Sequence, residues 1–367
     1  RDFKYLFAYI LPVSVYISFI STGIWTYSAV VYVFLVIPLL DLILGEEKDN
    51  IPDESVASLQ NKWIFDVMLF LNVPIVFGLL FIGFSSIQTG DFNTLETIGI
   101  AISTGVLLAT NGINVAHELG HRRTYFARFT SKLLYMPCLY MHFYIEHNFG
   151  HHLNVATPED GATARINQSV YSFWFTSITK QYLDAWKRQK IILETQKKSF
   201  FSLKNDMIFY HLIQPLYLFS IYSIFSFEVM IFAIVVGIIS ILFLECINYI
   251  EHYGLTRKHL GEGKYEHVKP HHSWNAAHMA SNWLLINLQR HSDHHYKPER
   301  RFPLLQNYTE AEAPQLPYGY PIMTLAALVP PLWRRMMNPR VRRWREMYYP
   351  EITEWKAYNK HSTPLPR

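Results

Sequence analysis

The chain is predicted to be all-α: a six-helix transmembrane bundle with a helical cap on its cytoplasmic side. Three observations carry that expectation. Apolar residues make up 50% of the 367 and charged residues 17%. The apolar residues gather in runs long enough to cross a bilayer core of about 30 Å. Lysine and arginine crowd some connections and are missing from others, as the positive-inside rule requires of a multi-pass protein.

The spans read, in order, as Tyr5 to Ile20, Ile24 to Leu44, Trp63 to Phe84, Thr97 to Val115, Met207 to Phe225 and Val229 to Ile250. The first is short and the second carries Pro38 and Asp41, so their ends are set only to within several residues. A further apolar run, Tyr320 to Trp333, is too short to cross and contains Pro321, Pro330 and Pro331. It reads as interfacial or re-entrant. The turns Ser21 to Gly23, Ser85 to Glu96 and Ser226 to Glu228 contain no Lys or Arg, whereas the segment from His121 to Asn205 is rich in both. Both termini and the segments 116–206 and 251–367 are therefore expected on the cytoplasmic side, in one integral-membrane domain spanning residues 1–367. The first residue is Arg1, so a native N-terminal stretch is expected to precede it.

Four histidine blocks stand at or beyond the cytoplasmic ends of these spans: HELGH (His117, His121), EHNFGHH (His147, His151, His152), YIEHYG (His252) and QRHSDHH (His291, His294, His295). Residues three or four apart share a helix face, so His117/His121, His147/His151 and His291/His294/His295 are each expected to aim at one point. Nine imidazoles exceed what one tetrahedral ion takes. They suit two ions of the class that imidazole binds, iron, copper, zinc or nickel. Shared cations would also hold the rings neutral. His142, His211, His259 and His361 read instead as capped or hydrogen-bonded groups, and His267, His271, His272 and His278 lack a partner block of their own.

Two cysteines, Cys138 and Cys246, each sit in an apolar stretch and offer neither a disulfide framework nor a Cys-x-x-Cys pair. No Gly-x-Gly-x-x-Gly fingerprint is present. A redox enzyme built on this chain would take its electrons from another protein.

With these blocks in hand, the chain resembles the membrane-bound alkane 1-monooxygenases of the AlkB family, within the membrane di-iron fatty acid desaturase and hydroxylase superfamily. The resemblance rests on the three histidine boxes HELGH, EHNFGHH and QRHSDHH. It rests also on NYIEHYGL from Asn248 to Leu255, PLLD from Pro38 to Asp41 and VATPEDGATAR from Val155 to Arg165. Arg122 stands where family members often have lysine, which keeps the charge. The resemblance implies a non-haem centre of two iron ions held by His117, His121, His147, His151, His152, His252, His291, His294 and His295. Glu118, Glu146, Asp160, Glu251 and Asp293 are then candidates to orient the rings from outside the ligand set.

The activity so implied is rubredoxin-dependent terminal hydroxylation of medium-chain n-alkanes to 1-alkanols with O2, in a bacterial inner membrane. A rubredoxin reductase would stand upstream of the rubredoxin. No nucleic acid is expected as a partner. An alkane offers no polar handle, so an apolar channel must select it, at roughly 0.8 kcal/mol per buried methylene. Trp25, Tyr32, Phe34 and Phe70 are candidates for its far end, against a plain packing role. Arg334, Arg335, Arg340, Arg342, Arg343 and Arg345 would steer an acidic partner, or equally meet anionic lipid. The competing readings are a fatty acyl desaturase or xylene-type hydroxylase, a membrane zinc protease using Glu118 as base, and a metal transporter.

Overall fold

The computed structural model describes residues 2–60 and 62–355; His361 lies outside them. Among the described residues six helices are long and apolar enough to cross a membrane: α1 (Phe3–Ile20), α2 (Gly23–Leu44), α3 (Trp63–Thr89), α4 (Thr94–Gly120), α8 (Asp206–Ile224) and α9 (Phe227–His252). Between α4 and α8 come α5 (Tyr125–Tyr135), α6 (143–154) and α7 (Val170–Thr195). After α9 come α10 (His291–Tyr296), α11 (Tyr320–Ala327) and α12 (Pro330–Tyr348). Among the described residues the only sheet is a two-stranded hairpin, His259–Gly261 with Lys264–Tyr265.

All six expected spans are present, and several helices outrun the apolar run that announced them. α3 continues from Phe84 to Thr89 because Ser85 and Thr89 return their hydroxyls to the carbonyls of Phe81 and Ser85, each at 2.8 Å. α4 starts at Thr94, where Asn93 and Glu96 form a reciprocal capping box. It then runs on through HELG, so the first histidine block rides its last turns.

Two helices widen locally. Pro38 has no N–H to give the carbonyl of Phe34, and α2 opens into a π-helical segment over Tyr32–Val36 just before it. α4 does the same over Leu108–Asn114, without a proline.

The run Tyr320 to Trp333 is neither a seventh span nor a single helix. Its prolines divide it into α11 and the start of α12. Buried Trp333, Met337, Val341 and Trp344 fasten α12 to the cap at helical spacing. Its arginines 334, 335, 340, 342 and 343 are exposed, while Arg345 is half-buried over the ring of Trp355. At the foot of α2, buried Asp41 accepts the N–H of Ser281 at 3.0 Å. That bond ties the PLLD segment to the short helix Met279–Leu284, which precedes α10.

Candidate metal centre

Nine imidazole Nε2 atoms converge in two adjoining groups where α4 and α9 end, with α6 and α10 closing the site. One group contains His117, His121, His147, His152 and His294; the other contains His151, His252, His291 and His295. In the first, Nε2–Nε2 separations are 2.9 Å for His117–His294, 3.3 Å for His117–His121, 2.9 Å for His147–His152 and 3.1 Å for His152–His294. In the second they are 3.2 Å for both His151–His295 and His252–His291. Two nitrogens about 2.1 Å from one ion and near right angles to each other lie about 3 Å apart. The donor set therefore fits two imidazole-preferring ions.

The pairing within the blocks departs from the expected one in two places. His117 and His121 do share a group, as an i, i+4 pair on α4 should. His147 and His151 do not. The chain from His147 to His151 is a π turn, which brings residues five apart onto one face. His147 therefore meets His152, and His151 turns to the second group. In α10, His291 and His295 stay together at i, i+4 while His294 crosses to the first group.

The five acidic candidates fare unequally. Asp160 places both carboxylate oxygens 3.0 Å from Nδ1 of His151, where it fixes the ring and leaves Nε2 facing inward. Burial alone would raise its pKa, but His151 and the Thr163 hydroxyl outweigh burial and hold it at about 2. Glu118 accepts instead from Arg122 at 2.6 Å and from the N–H of Phe302 at 3.2 Å. Asp293 is engaged by Arg300, Tyr308 and the N–H of Gln306. Glu146 is buried with Oε2 unpartnered and makes no ring contact. Glu251 approaches His291, but at Nε2, 3.2 Å away, and not at Nδ1.

The remaining described histidines stay outside the two groups. His142 packs edge-to-face against Tyr140, His211 bonds Tyr182 and the Met207 carbonyl, and His259 accepts the N–H of Gly261. His278 lies beside Glu46, and His267 is exposed. His271 and His272 approach Glu266 closely enough for a third ligand group, but Tyr349 already bridges all three by hydrogen bonds.

An apolar cavity runs from the bundle interior to the histidines, between α2, α4, α9 and α11. Val33, Phe34, Val106, Phe243 and Leu244 line its far part, and it ends on His117 and His147 of one group and His291 of the other. The π segment of α4 supplies Ala109, Thr110, Ile113 and Asn114 to its wall. At 1.5 Å per residue, Val106 stands about 16 Å above His117 along α4. Of the four aromatic candidates only Phe34 lines this cavity, stacked on Phe243 at 5.9 Å between centroids. Trp25 is exposed, Tyr32 packs in the core, and Phe70 faces Phe126 on another surface.

Two further groups at the metal end are not announced by the histidine blocks. Tyr320 lines the cavity and donates to Glu251 at 2.8 Å. Asn248 lines it with a buried, unpartnered Nδ2. Asn248 precedes His252 by one helical turn, a spacing that could have flagged it. Tyr320 opens α11, remote in sequence from the histidine blocks of α4, α6 and α9, and carries no such signal.

Residues 95–326 match the fatty acid desaturase family. Alkane 1-monooxygenase 1 of Alcanivorax borkumensis is 37% identical over 321 residues, covering 87% of this chain and 78% of that protein. Alkane 1-monooxygenase of Ectopseudomonas oleovorans is 37% identical over 307 residues, covering 83% and 75%. The hydroxylase component of the xylene/toluene monooxygenase of Pseudomonas putida is more distant, at 27% over 351 residues, covering 91% and 88%.

Burial and neighbouring imidazoles push the pKa of His147, His152, His291, His294 and His295 well below the ordinary range. Burial and the Arg122 charge bring His121 down to about 3. The metal-free folded chain refuses protons that the unfolded chain accepts below about pH 6.5. Its stability should therefore fall as pH drops from about 6.5 towards 4, by up to about 1.4 kcal/mol per pH unit for each such histidine. Thermal unfolding of the metal-free protein in detergent across this range checks it; a flat profile would mean the rings are not buried together.

Proposed function

We propose, from the premise that the chain belongs to the fatty acid desaturase family and within it to the alkane 1-monooxygenases, that it converts medium-chain n-alkanes to 1-alkanols. The balanced reaction takes one alkane, one O2, two electrons and two protons to one alcohol and one water. The observation that carries this reading is the apolar cavity ending on both histidine groups at once. A terminal methyl delivered there would meet the ligand rings, with Asn248, Glu251 and Tyr320 beside them.

Two iron ions held by the nine histidines would supply the activation of O2 and the oxidising power for the C–H bond. The protein's own residues do the rest. Asp160 orients His151, and the imidazoles add no negative charge, which leaves the ions strongly electrophilic. The cavity wall excludes water and aligns the chain end-on. The stacked rings of Phe34 and Phe243 stand at its far end and would set the longest alkane admitted.

Electrons would come from a reduced rubredoxin, itself served by a rubredoxin reductase, docking on the cap. The exposed arginines of α12 suit an acidic iron protein, and the basic loops on this side favour a cytoplasmic cap in the inner membrane. The protease reading loses its base, because Glu118 is committed to Arg122 and the Phe302 N–H. The transporter reading fits poorly with donors gathered where α4 and α9 end rather than at mid-span.

Purified protein loaded with iron and given reduced rubredoxin should turn octane or dodecane into the 1-alkanol, scored by mass spectrometry. A terminal alkene or an acyl-chain product would move it to the desaturases. Phe34→Ala should raise kcat/KM for longer alkanes relative to octane, by roughly fourfold for each further methylene admitted, at about 0.8 kcal/mol each. An unchanged chain-length profile would remove the ring stack as the stop. Replacing Arg340, Arg342 and Arg343 together by Glu should raise the KM for rubredoxin several-fold and flatten its salt dependence. If neither changes, the partner docks elsewhere.

A further inference from the structure

We propose that Glu251 is a tenth metal donor, its carboxylate Oε2 being the fifth ligand of the ion held by His151, His252, His291 and His295. The inference rests on the reading that these four histidines hold a metal. It places a carboxylate inside the ligand set, where nine imidazoles alone would be all-nitrogen.

Four features of the site point to it. Oε2 of Glu251 lies 3.2 Å from Nε2 of His291, matching the 3.2 Å between Nε2 of His291 and Nε2 of His252. This is the separation of neighbouring donors on one ion, and it is measured on the ion-facing nitrogen. A residue that merely orients the ring would sit at Nδ1, as Asp160 does with His151.

The chemistry of the contact is the second feature. Once His291 Nε2 directs its lone pair at an ion, it has no hydrogen to offer, and two buried acceptors would face each other. His291 is the sole ion-pairing neighbour of Glu251 among the described residues, and both side chains are 3% exposed. A buried carboxylate without a cation is costly. The ion itself is the cation that this position lacks.

Third, the carboxylate is held for the task. Tyr320 donates to Oε1 at 2.8 Å, and Tyr320 is itself anchored by its N–H to Gln289 Oε1 at 2.7 Å. That leaves Oε2 to point at the histidines. It stands at the rim of the four-nitrogen group, on the side that Glu251, His291 and Tyr320 present to the apolar cavity. Fourth, the two groups hold five and four imidazoles. Oε2 of Glu251 lies outside the 4.8 Å range that the four nitrogens share and would move in on the ion, which makes the groups five and five, one ligated by nitrogen only and the other by four nitrogens and an oxygen.

The decisive experiment is an iron-loaded structure of the wild-type protein with a Mössbauer comparison of wild type and Glu251→Gln. The expected result is an Oε2–iron distance of about 2.0–2.2 Å. In Glu251→Gln one quadrupole doublet should shift while the other is unchanged, and affinity for one of the two irons should drop at least tenfold. The unchanged doublet reports an intact fold. Two bound irons with Oε2 beyond about 3 Å, or both doublets unaltered by Glu251→Gln, would overturn the proposal and leave the nine-histidine reading standing. A wild-type protein that binds no iron would instead remove the premise. If Glu251→Gln fails to fold, the wild-type distance alone decides.

Discussion

Nine imidazole nitrogens facing inward in two groups, with neighbouring pairs 2.9 to 3.3 Å apart, are the constraint around which the rest of the chain is arranged. Buried lone pairs at that distance repel unless a cation or a proton stands between them, and burial disfavours the proton. The sequence therefore has to assemble a site that is unfavourable without metal. It does so by placing the histidines on four elements whose positions are fixed for other reasons. α4 and α9 are membrane helices set by their apolar faces. α6 and α10 are short, and buried hydrogen bonds hold them: Asp160 to His151 in one case, Arg300 and Tyr308 to Asp293 in the other.

The same arrangement solves the problem of an apolar substrate. A site reached only through water could not select a hydrocarbon, and one inside the bilayer core could not recruit a protein partner. Setting the histidines where two spans end puts them at the boundary between both environments. The cavity approaches along α4 from the apolar side, while the helices of the cap close over the site from the polar side. The π segment in α4 belongs to this geometry, because it contributes Thr110 and Asn114 to the wall just ahead of HELGH. The π turn at His147 to His151 decides which of the two groups each histidine of its block joins. Both lie at the site, where such irregularities are commonly retained.

What the sequence made legible follows from this. Span number and type were readable because an apolar run of membrane length is seldom stable anywhere but in a bilayer. The convergence of the nine histidines was readable because blocks of imidazoles at helical spacing are rare by chance. Their division was not, since spacing rules assume 3.6 residues per turn and the π turn replaces His151 by His152 as the partner of His147. Nor was the carboxylate environment. Asp293 sits within a histidine block, yet Arg300 and Tyr308, both downstream, claim it; Asp160 lies outside any block, yet meets His151. Glu245, about two turns before the end of α9, reads in sequence as a lone charge in a span. In the fold Tyr140, Ser177 and Gln181 all donate to it. Such partners come from elements 64 to 105 residues away, and no local pattern announces them.

Tyr320 shows the limit most clearly. It stands in a proline-broken apolar run whose composition suggested contact with the membrane surface. Gln289, two residues before His291, accepts its N–H, and its hydroxyl reaches Glu251 on α9. A residue from a distant segment thus controls the orientation of a carboxylate beside His291. The consequence is chemical as well as structural. With Glu251 on the cavity side, an ion bound beside it would have a carboxylate in its surroundings that its neighbour would lack, so the two would not share the work equally. A substrate entering along the cavity meets His117 and His147 on one flank and His291 with Glu251 on the other. The asymmetry lies across the path of the terminal carbon, where a difference between the two ions has most effect.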